Sequence, residues 1–114
     1  MENCIFCKIV KREIPGKIVY EDNEIIAIED INPQAKIHIL IIPKKHISTI
    51  LDITEDDSSL IFKIHKIINK LAKDTGCSEN GFRVVLNCNK DGGQAVYHIH
   101  YHLIGGRKMD WPPG

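Results

Sequence analysis

The sequence predicts an α+β domain built on a five-stranded antiparallel sheet, with one long helix and a short helix. Three observations support this fold class. Strand-like segments follow one another along the chain, one long segment has the apolar spacing of a helix, and no repeat or linker divides the 114 residues. Consecutive strands pair in antiparallel sheets, and a helix covers one face of such a sheet. A chain of this length is therefore expected to fold as one domain, residues 1–114.

The first three strands are predicted from apolar runs bounded by turn residues. Residues 17–21 and 24–29 are short, mostly apolar runs that flank Asp22-Asn23, which is typical of a hairpin. Residues 36–42 form a further run with apolar side chains on both faces, as in a buried strand. Pro43 has no backbone N–H to donate, so this strand is expected to stop there.

The long helix and the last two strands follow. Thr54 begins the helix, and Asp57 stands at the position of its capping-box partner. The helical spacing continues to about Lys73, and Gly76 suits the C-terminal cap. The apolar residues with this spacing are Leu60, Ile61, Ile64, Ile67, Ile68 and Leu71. Strands near 82–88 and 97–104, joined through a flexible turn at 91–94, complete the sheet.

Composition excludes several classes of partner and location. Fifteen basic residues balance fifteen acidic residues, so no net field favours nucleic acid or an anionic membrane. No apolar run approaches the roughly 20 residues of a membrane span, and no signal peptide precedes the domain, so a cytoplasmic location is expected. Cys4 and Cys7 form a C-x-x-C pair. A metal site is the better interpretation than a redox pair, since thioredoxin-like motifs follow a strand.

The segment 97–104 carries the most chemical information, because it holds three of the six histidines at alternating positions. In a strand His98, His100 and His102 would share one face, with about 6 to 7 Å between successive imidazoles. Imidazoles titrate near neutral pH and act as nucleophiles, proton donors or metal ligands. The segment is therefore a candidate functional site.

The pattern alone leaves two chemical interpretations open. Three imidazoles could hold a catalytic metal with an open position, or one neutral imidazole could attack a phosphorus atom. The neighbourhood favours the second. The glycine-rich stretch Gly92-Gly93-Gln94 can direct backbone N–H groups at an anion, and His38 has the strand parity to join the same face. Phosphoryl or nucleotidyl transfer is favoured.

The run His98-Ile99-His100-Tyr101-His102-Leu103-Ile104 resembles the signature of the histidine triad (HIT) family. The ending Trp111-Pro112-Pro113-Gly114 is similar to that of its Hint branch, the purine nucleoside phosphoramidase group. Further family landmarks are matched by Phe6-Cys7-Lys8-Ile9-Val10, Glu13-Ile14-Pro15, Tyr20-Glu21-Asp22, Asp30-Ile31-Asn32-Pro33-Gln34-Ala35, Ile42-Pro43-Lys44-Lys45-His46-Ile47, Asn87, Gly92-Gly93-Gln94 and Gly105-Gly106-Arg107.

The resemblance implies a hydrolase that cleaves purine nucleoside 5′-phosphoramidates through a nucleotidyl-histidine intermediate. His100 would be the nucleophile, and His102 and His38 would contact the α-phosphate or orient the nucleophile. Asp30 would bind the ribose. Family members are homodimers with one continuous sheet, and the tail, residues 107–114, is expected to reach the partner's site. The implied nucleotide-binding residues are Ile5, Phe6, Ile9, Ile28, Asp30, Ile31, Asn87, Gly93, Gln94, Ala95, Val96 and Trp111.

The resemblance also implies a structural zinc ion that the chemistry itself does not need. Family members with the cysteine pair bind it through two cysteines and two histidines. The ligands implied in this sequence are Cys4, Cys7, His46 and His98. His98 and His100 would then serve different centres although a regular strand places them on one face, a separation that strand twist is expected to allow.

Two other functions remain as alternatives. Ala95 stands where the best-known Hint proteins have a serine near the leaving group, and this weakly favours a nucleotide-binding or scaffold protein with little catalysis. A dinucleoside polyphosphate hydrolase on the same fold is the second alternative, and the Hint-like ending argues against it. The physiological substrate and its leaving amine are not determined by the sequence.

Overall fold

A five-stranded antiparallel sheet lies at the centre of the structure, a computed structural model that describes residues 3–114. The first two residues of the predicted domain lie outside the described part. The strand order is β1-β2-β3-β5-β4, so β1 and β4 form the edges. The predicted α+β class and the five antiparallel strands are confirmed. The strands are β1 (Ile18–Glu21), β2 (Ile25–Glu29), β3 (Ile37–Pro43), β4 (Phe82–Val85) and β5 (Tyr101–Gly105).

Helices lie on both faces of the sheet. The helices are α1 (Ile5–Val10), α2 (Ser58–Thr75) and α3 (Asn89–Gly92). The long helix α2 packs its buried residues, among them Ile64, Ile68 and Leu71, against one face. The short helix α1 packs Phe6 and Ile9 against the other face. Among residues 3–114 no helix is both long and apolar enough to cross a membrane.

The central strand β3 divides its side chains between these two layers. Ile39 and Ile41 belong to the core cluster under α2, whereas Leu40 and Ile42 belong to the cluster under α1. Strand β3 pairs with β2 on one side and with β5 on the other. Because β3 is central and has an apolar cluster on each of its faces, the predicted strand 36–42 has apolar side chains on both faces.

The predicted hairpin and helix ends are confirmed with small shifts. Strands β1 and β2 pair around the turn at Asp22, whose carboxylate accepts hydrogen bonds from the amides of Glu24 and Ile25. The helix predicted from Thr54 begins with a 3₁₀ turn at Glu55–Asp57, capped through the backbone N–H of Thr54 and the Asp57 carboxylate, and then continues as α2. At its end Gly76 has φ +84°, a left-handed conformation that glycine adopts without strain.

Two predicted strands are shorter than expected. The strand near 82–88 ends at Val85, and of the segment 97–104 only Tyr101 onward is strand. Residues 96–98 bend instead, and the amide of Ile99 donates to the carbonyl of Ile47 rather than to a neighbouring strand of the sheet. The predicted turn at 91–94 contains the end of α3, after which Gly93 adopts φ +79°.

Candidate active site and metal cluster

The three clustered histidines face α1 even though only His102 lies within β5. Ile99, Tyr101 and Leu103 pack into the core on the α2 side. On the other side the ring of Phe6 meets His100 edge-on, with centroids 4.9 Å apart, and His98 at 6.0 Å. The side chains of residues 98–103 therefore alternate between the two sides of the sheet even though the chain bends before β5. The prediction that all three lie in one strand is wrong, whereas their shared side is confirmed.

His100 is buried, and its hydrogen-bond partner fixes which ring nitrogen carries the hydrogen. Its Nδ1 lies 2.9 Å from the carbonyl oxygen of His98. A carbonyl oxygen can only accept, so Nδ1 is protonated and the neutral ring keeps a lone pair on Nε2. Burial lowers the pKa of His100, against opposing effects of the His98 carbonyl and Asp30. The ring is therefore neutral at pH 7.

His38 and His102 form a second hydrogen-bonded unit beside His100. The amide N–H of Gln34 donates to His38 Nδ1 at 3.0 Å, so a neutral His38 carries its hydrogen on Nε2. That Nε2–H donates to His102 Nδ1 at 2.9 Å, and Asp30 Oδ2 lies 3.3 Å from the same nitrogen. His102 must then carry its own hydrogen on Nε2. The centroids of His100 and His102 are 5.1 Å apart.

The protonation state of this pair follows from its environment. Burial lowers the pKa of His38, although the Asp30 carboxylate opposes the shift. Burial, together with the neighbouring His100 and His38, lowers the pKa of His102 to about 4, again against Asp30. Both rings are neutral at pH 7. The arrangement offers one unprotonated nitrogen on His100 and one N–H donor on His102.

The side chain of Gln94 shapes the glycine-rich loop in front of the histidines. Its Nε2 donates to the carbonyls of Ser48 at 2.8 Å and Val96 at 3.1 Å, and its Oε1 accepts from the amide of Asn89. These three bonds occupy the side-chain amide of Gln94. The backbone that follows Gln94 is therefore the part of the loop that can contact a ligand. Ala95 is exposed and, with Val96, lines an open cavity of about 940 Å³ that extends past Ile5.

The other predicted nucleotide-binding residues fall into two groups. Phe6 and Ile9 of α1 pack with Ile28 of β2, and Asp30 and Asn87 are half-buried. Three of these predicted residues have exposed side chains. Ile31 is fully exposed, Ile5 is half-exposed, and the Trp111 side chain is 81% exposed on the tail.

Cys4, Cys7, His46 and His98 converge as one cluster, as predicted. His98 Nδ1 lies 3.2 Å from Cys4 Sγ and 3.5 Å from Cys7 Sγ, and His46 Nδ1 lies 3.4 Å from Cys7 Sγ. These donors fit zinc, which takes sulfur and imidazole nitrogen in a tetrahedral arrangement. The hydrogen-bond partners fit as well. His98 Nε2–H donates to the Pro43 carbonyl at 2.7 Å, which leaves Nδ1 free for a metal.

Three groups with a role in the site were not assigned one from the sequence: the Pro43 carbonyl, the Ser48 hydroxyl and the Gln34 amide. Ser48 Oγ lies 3.4 Å from His46 Nε2, where the hydroxyl can accept from an Nε2–H, while the Pro43 carbonyl accepts from His98 Nε2–H. Pro43 and Gln34 stand within matched family landmarks, which was the available signal. Because two of these groups belong to the backbone, residue type gives no indication of their role.

The sequence and the fold are both similar to those of known proteins. A protein-family model described as "Scavenger mRNA decapping enzyme C-term binding" matches residues 3–111. A purine nucleoside phosphoramidase of Escherichia coli K12 is 45% identical over 108 residues, covering 95% of this chain and 91% of that protein. An uncharacterised HIT-like protein of Synechococcus elongatus is 46% identical over 113 residues, covering 99% and 98%. The crystal structure of a HIT family hydrolase from Legionella pneumophila has a TM-score of 0.97 at 58% identity, covering 98% and 100%.

Proposed function

The chain belongs to the histidine triad family of nucleotide hydrolases, and on that premise we propose that it cleaves purine nucleoside 5′-phosphoramidates at the P–N bond. The observation that carries the proposal is the hydrogen bond from His100 Nδ1 to the His98 carbonyl, which leaves an unprotonated Nε2 next to the N–H donor of His102. The E. coli relative, whose name states this activity, supports the choice of substrate.

The proposed reaction has two steps at the α-phosphorus. His100 Nε2 attacks the phosphorus, the P–N bond breaks, and the leaving amine takes a proton from solvent water, giving a nucleotidyl-histidine. Water then attacks the same phosphorus, releases the nucleoside monophosphate and restores the imidazole. His102, held by His38, donates its Nε2–H to a phosphate oxygen and so stabilises the charge that develops there.

The nucleoside is proposed to bind on the α1 side of the sheet. Phe6, Ile9 and Ile28 form its apolar surface for the purine, and the Asp30 carboxylate accepts from the ribose hydroxyls. The phosphate lies toward the loop after α3. The remaining residues proposed to surround the nucleotide are Ile5, Ile31, Asn87, Gly93, Gln94, Ala95, Val96 and Trp111.

The cysteine and histidine cluster is proposed to bind one structural zinc ion. The donor set supports this assignment, as does the hydrogen bond from His98 Nε2–H to the Pro43 carbonyl, which leaves the His98 Nδ1 free. The metal takes no part in the reaction. It would cross-link α1 to the segment that precedes β5. Cysteines ligate zinc only as reduced thiolates, which supports a reducing compartment such as the cytoplasm.

A homodimer with one continuous sheet is also part of the proposal. Strand β4 is an edge strand, and its Val84 side chain is half-exposed. Edge strands present unpaired backbone groups that can add a second sheet. The exposed Trp111 and the tail around it would then lie near the partner's site rather than near their own.

A single-turnover experiment tests the reaction and its nucleophile together. The protein is mixed with adenosine 5′-phosphoramidate, quenched in alkali and analysed by intact mass. We expect an adenylate adduct on His100 that is absent in His100→Ala and retained in His65→Ala, because His65 is exposed on α2. Turnover of His100→Ala at the wild-type rate would contradict the assignment.

The same experiment separates the alternatives. Nucleotide binding without adduct or product would support a binding or scaffold protein. Faster turnover of diadenosine tetraphosphate than of the phosphoramidate would support a dinucleoside polyphosphate hydrolase.

A further inference from the structure

The chain makes an unusually close passage where it leaves β5. Gly105 pairs with Ile37, and a Cβ atom on Gly105 would lie 2.7 Å from the Cβ of Cys77. Gly106 has φ +94°, and a Cβ there would lie 2.9 Å from the Cβ of Lys36. Both positions therefore require glycine. This passage brings the next residue, Arg107, against the loop that precedes β3.

Arg107 is bound to that loop through its guanidinium group. Its Nε–H donates to the carbonyl oxygen of Gln34 at 3.0 Å, and its Nη1 donates to the carbonyl of Lys108 at 3.2 Å. The amide of the same Gln34 donates to His38 Nδ1. One residue thus joins Arg107 on the surface to the buried His38.

Gln34 has few other connections within residues 3–114. It is exposed, and its side chain donates to the carbonyl of Asn32, which lies in the same loop. The Asn32 amide in turn donates to Asp30 at the end of that loop. Arg107 therefore supplies the hydrogen bond that ties Gln34 to a different part of the fold.

The Gln34 amide and the Asp30 carboxylate, which lies 3.3 Å from His38 Nε2, together set where the two imidazoles carry their hydrogens. If the amide moves away, Asp30 alone favours the Nε2–H form, and a fraction of His38 can place its hydrogen on Nδ1, with Nε2 as an acceptor. His102 must then donate from Nδ1, at 2.9 Å from His38 Nε2, and its own Nε2 loses the hydrogen. In that state His102 has no N–H to offer a phosphate oxygen.

We propose that Arg107 is a positioning residue that holds Gln34 in place and thereby keeps His38 and His102 in their Nε2–H tautomers. The structural part of this inference stands alone, and its kinetic consequence rests on the proposed function. The motif Gly105-Gly106-Arg107 acquires a role in this way: the glycines allow the close passage, and the arginine fixes the loop.

The direct test measures tautomers rather than activity. Imidazole nitrogen shifts of the ¹⁵N-labelled, zinc-loaded protein report which nitrogen is protonated. We expect a single Nε2–H form of His38 and His102 in the wild type and mixed forms in Arg107→Gln. Arg12→Gln is the matched control, because Arg12 forms a surface ion pair with Glu21 away from the histidines. Wild-type tautomers in Arg107→Gln would overturn the proposal.

Kinetics supply the second readout. Arg107→Gln should lower kcat by about tenfold while KM changes less than about twofold, because misplacement of a catalytic group affects the chemical step. Arg107→Lys keeps a cationic donor and should fall between the two. A raised KM with unchanged kcat would instead make Arg107 a substrate contact and overturn a positioning role. Absence of turnover in the wild type would refute the proposed function but leave the tautomer result valid.

Discussion

The ring and the backbone carbonyl of His98 contact different parts of the candidate site. Its ring nitrogen Nδ1 faces Cys4 and Cys7, whereas its carbonyl oxygen accepts from His100 Nδ1. Strand twist was expected to separate the two centres. The structure achieves it by a bend at 96–98 before the strand begins, with the His98 ring bonded to the Pro43 carbonyl. His98 thus belongs to the cysteine and histidine cluster through its ring and supports the candidate nucleophile through its carbonyl.

Residue types at the site could be predicted from the sequence, but tautomers could not. The alternation of His98, His100 and His102 indicated a shared side, and the C-x-x-C pair indicated a metal cluster. Which nitrogen of each imidazole is protonated depends on the Gln34 amide and on the Pro43 and His98 carbonyls. Every residue except proline has a backbone N–H, so the spacing of side chains carries no signal for such partners.

Ala95 is the residue at which the leaving-group side can be tested. Ala95 is exposed and lines an open cavity, so a serine fits without strain. Ala95→Ser supplies a hydroxyl near the leaving amine and should raise kcat for phosphoramidates by roughly 2- to 10-fold with little change in KM. Steady-state kinetics check this, with Ala95→Gly as the control that adds no hydroxyl. Equal rates in all three proteins would contradict a role for this position in departure of the amine.

At the scale of elements, predictions succeeded where the signal was local. The hairpin turn at Asp22, the capping box of Thr54 and Asp57, and the left-handed Gly76 each depend on a few neighbouring residues. The segment 97–104 has the period of a strand but becomes one only from Tyr101. Ile99 and His98 form long-range hydrogen bonds there in place of strand pairing. The periodicity of a sequence gives no information about such contacts.

The β1–β2 turn allows a prediction about pH and stability. Burial opposes ionisation of Asp22, but hydrogen bonds from the Tyr20 hydroxyl and from the Glu24 and Ile25 amides outweigh it. Together with Lys63 they lower its pKa from 3.8 to about 2. A carboxylate with a lowered pKa stabilises the fold above its unfolded pKa and loses this contribution as the pH falls toward its folded pKa.

Asp22→Asn should therefore lower the free energy of unfolding by about 1–2 kcal/mol at pH 7. The difference from the wild type should shrink as the pH falls below about 4. Urea unfolding at several pH values measures both effects. Asp74→Asn is the control, since Asp74 pairs with Lys70 on the exposed face of α2 and should contribute less than about 0.5 kcal/mol. A pH-independent difference would contradict the assignment to the carboxylate charge.

At the scale of the whole molecule, one face of the sheet holds most of the apolar core and the other face holds the candidate site. The α2 face holds the larger apolar cluster, and the α1 face holds His98, His100 and His102, the pair Cys4 and Cys7, and the smaller cluster. The α+β class followed from the succession of elements along the chain. The strand order did not, because it depends on β5 pairing between β3 and β4, which is a long-range choice.

Zinc content is the test at this scale. The purified protein should carry about one zinc per chain, and Cys4→Ala with Cys7→Ala should carry none. Loss of the metal should lower the free energy of unfolding by roughly 2–4 kcal/mol at zinc concentrations 100- to 1,000-fold above Kd. Elemental analysis and urea unfolding measure the two effects. Cys88→Ala is the matched control, because Cys88 is half-buried and does not belong to the cluster. A folded wild type free of zinc after metal loading would contradict the site.

The metal cluster joins residues from opposite ends of the chain, since Cys4 and His98 are 94 positions apart. A zinc ion bound there would close most of the polypeptide into one loop. Its ligands meet only where α1 and the segment before β5 are both docked on the sheet, and we expect this long-range docking to come late in folding. Interactions that form after the transition state slow unfolding and leave the folding rate almost unchanged. The ion would thus govern how long the native state lasts rather than how quickly it forms.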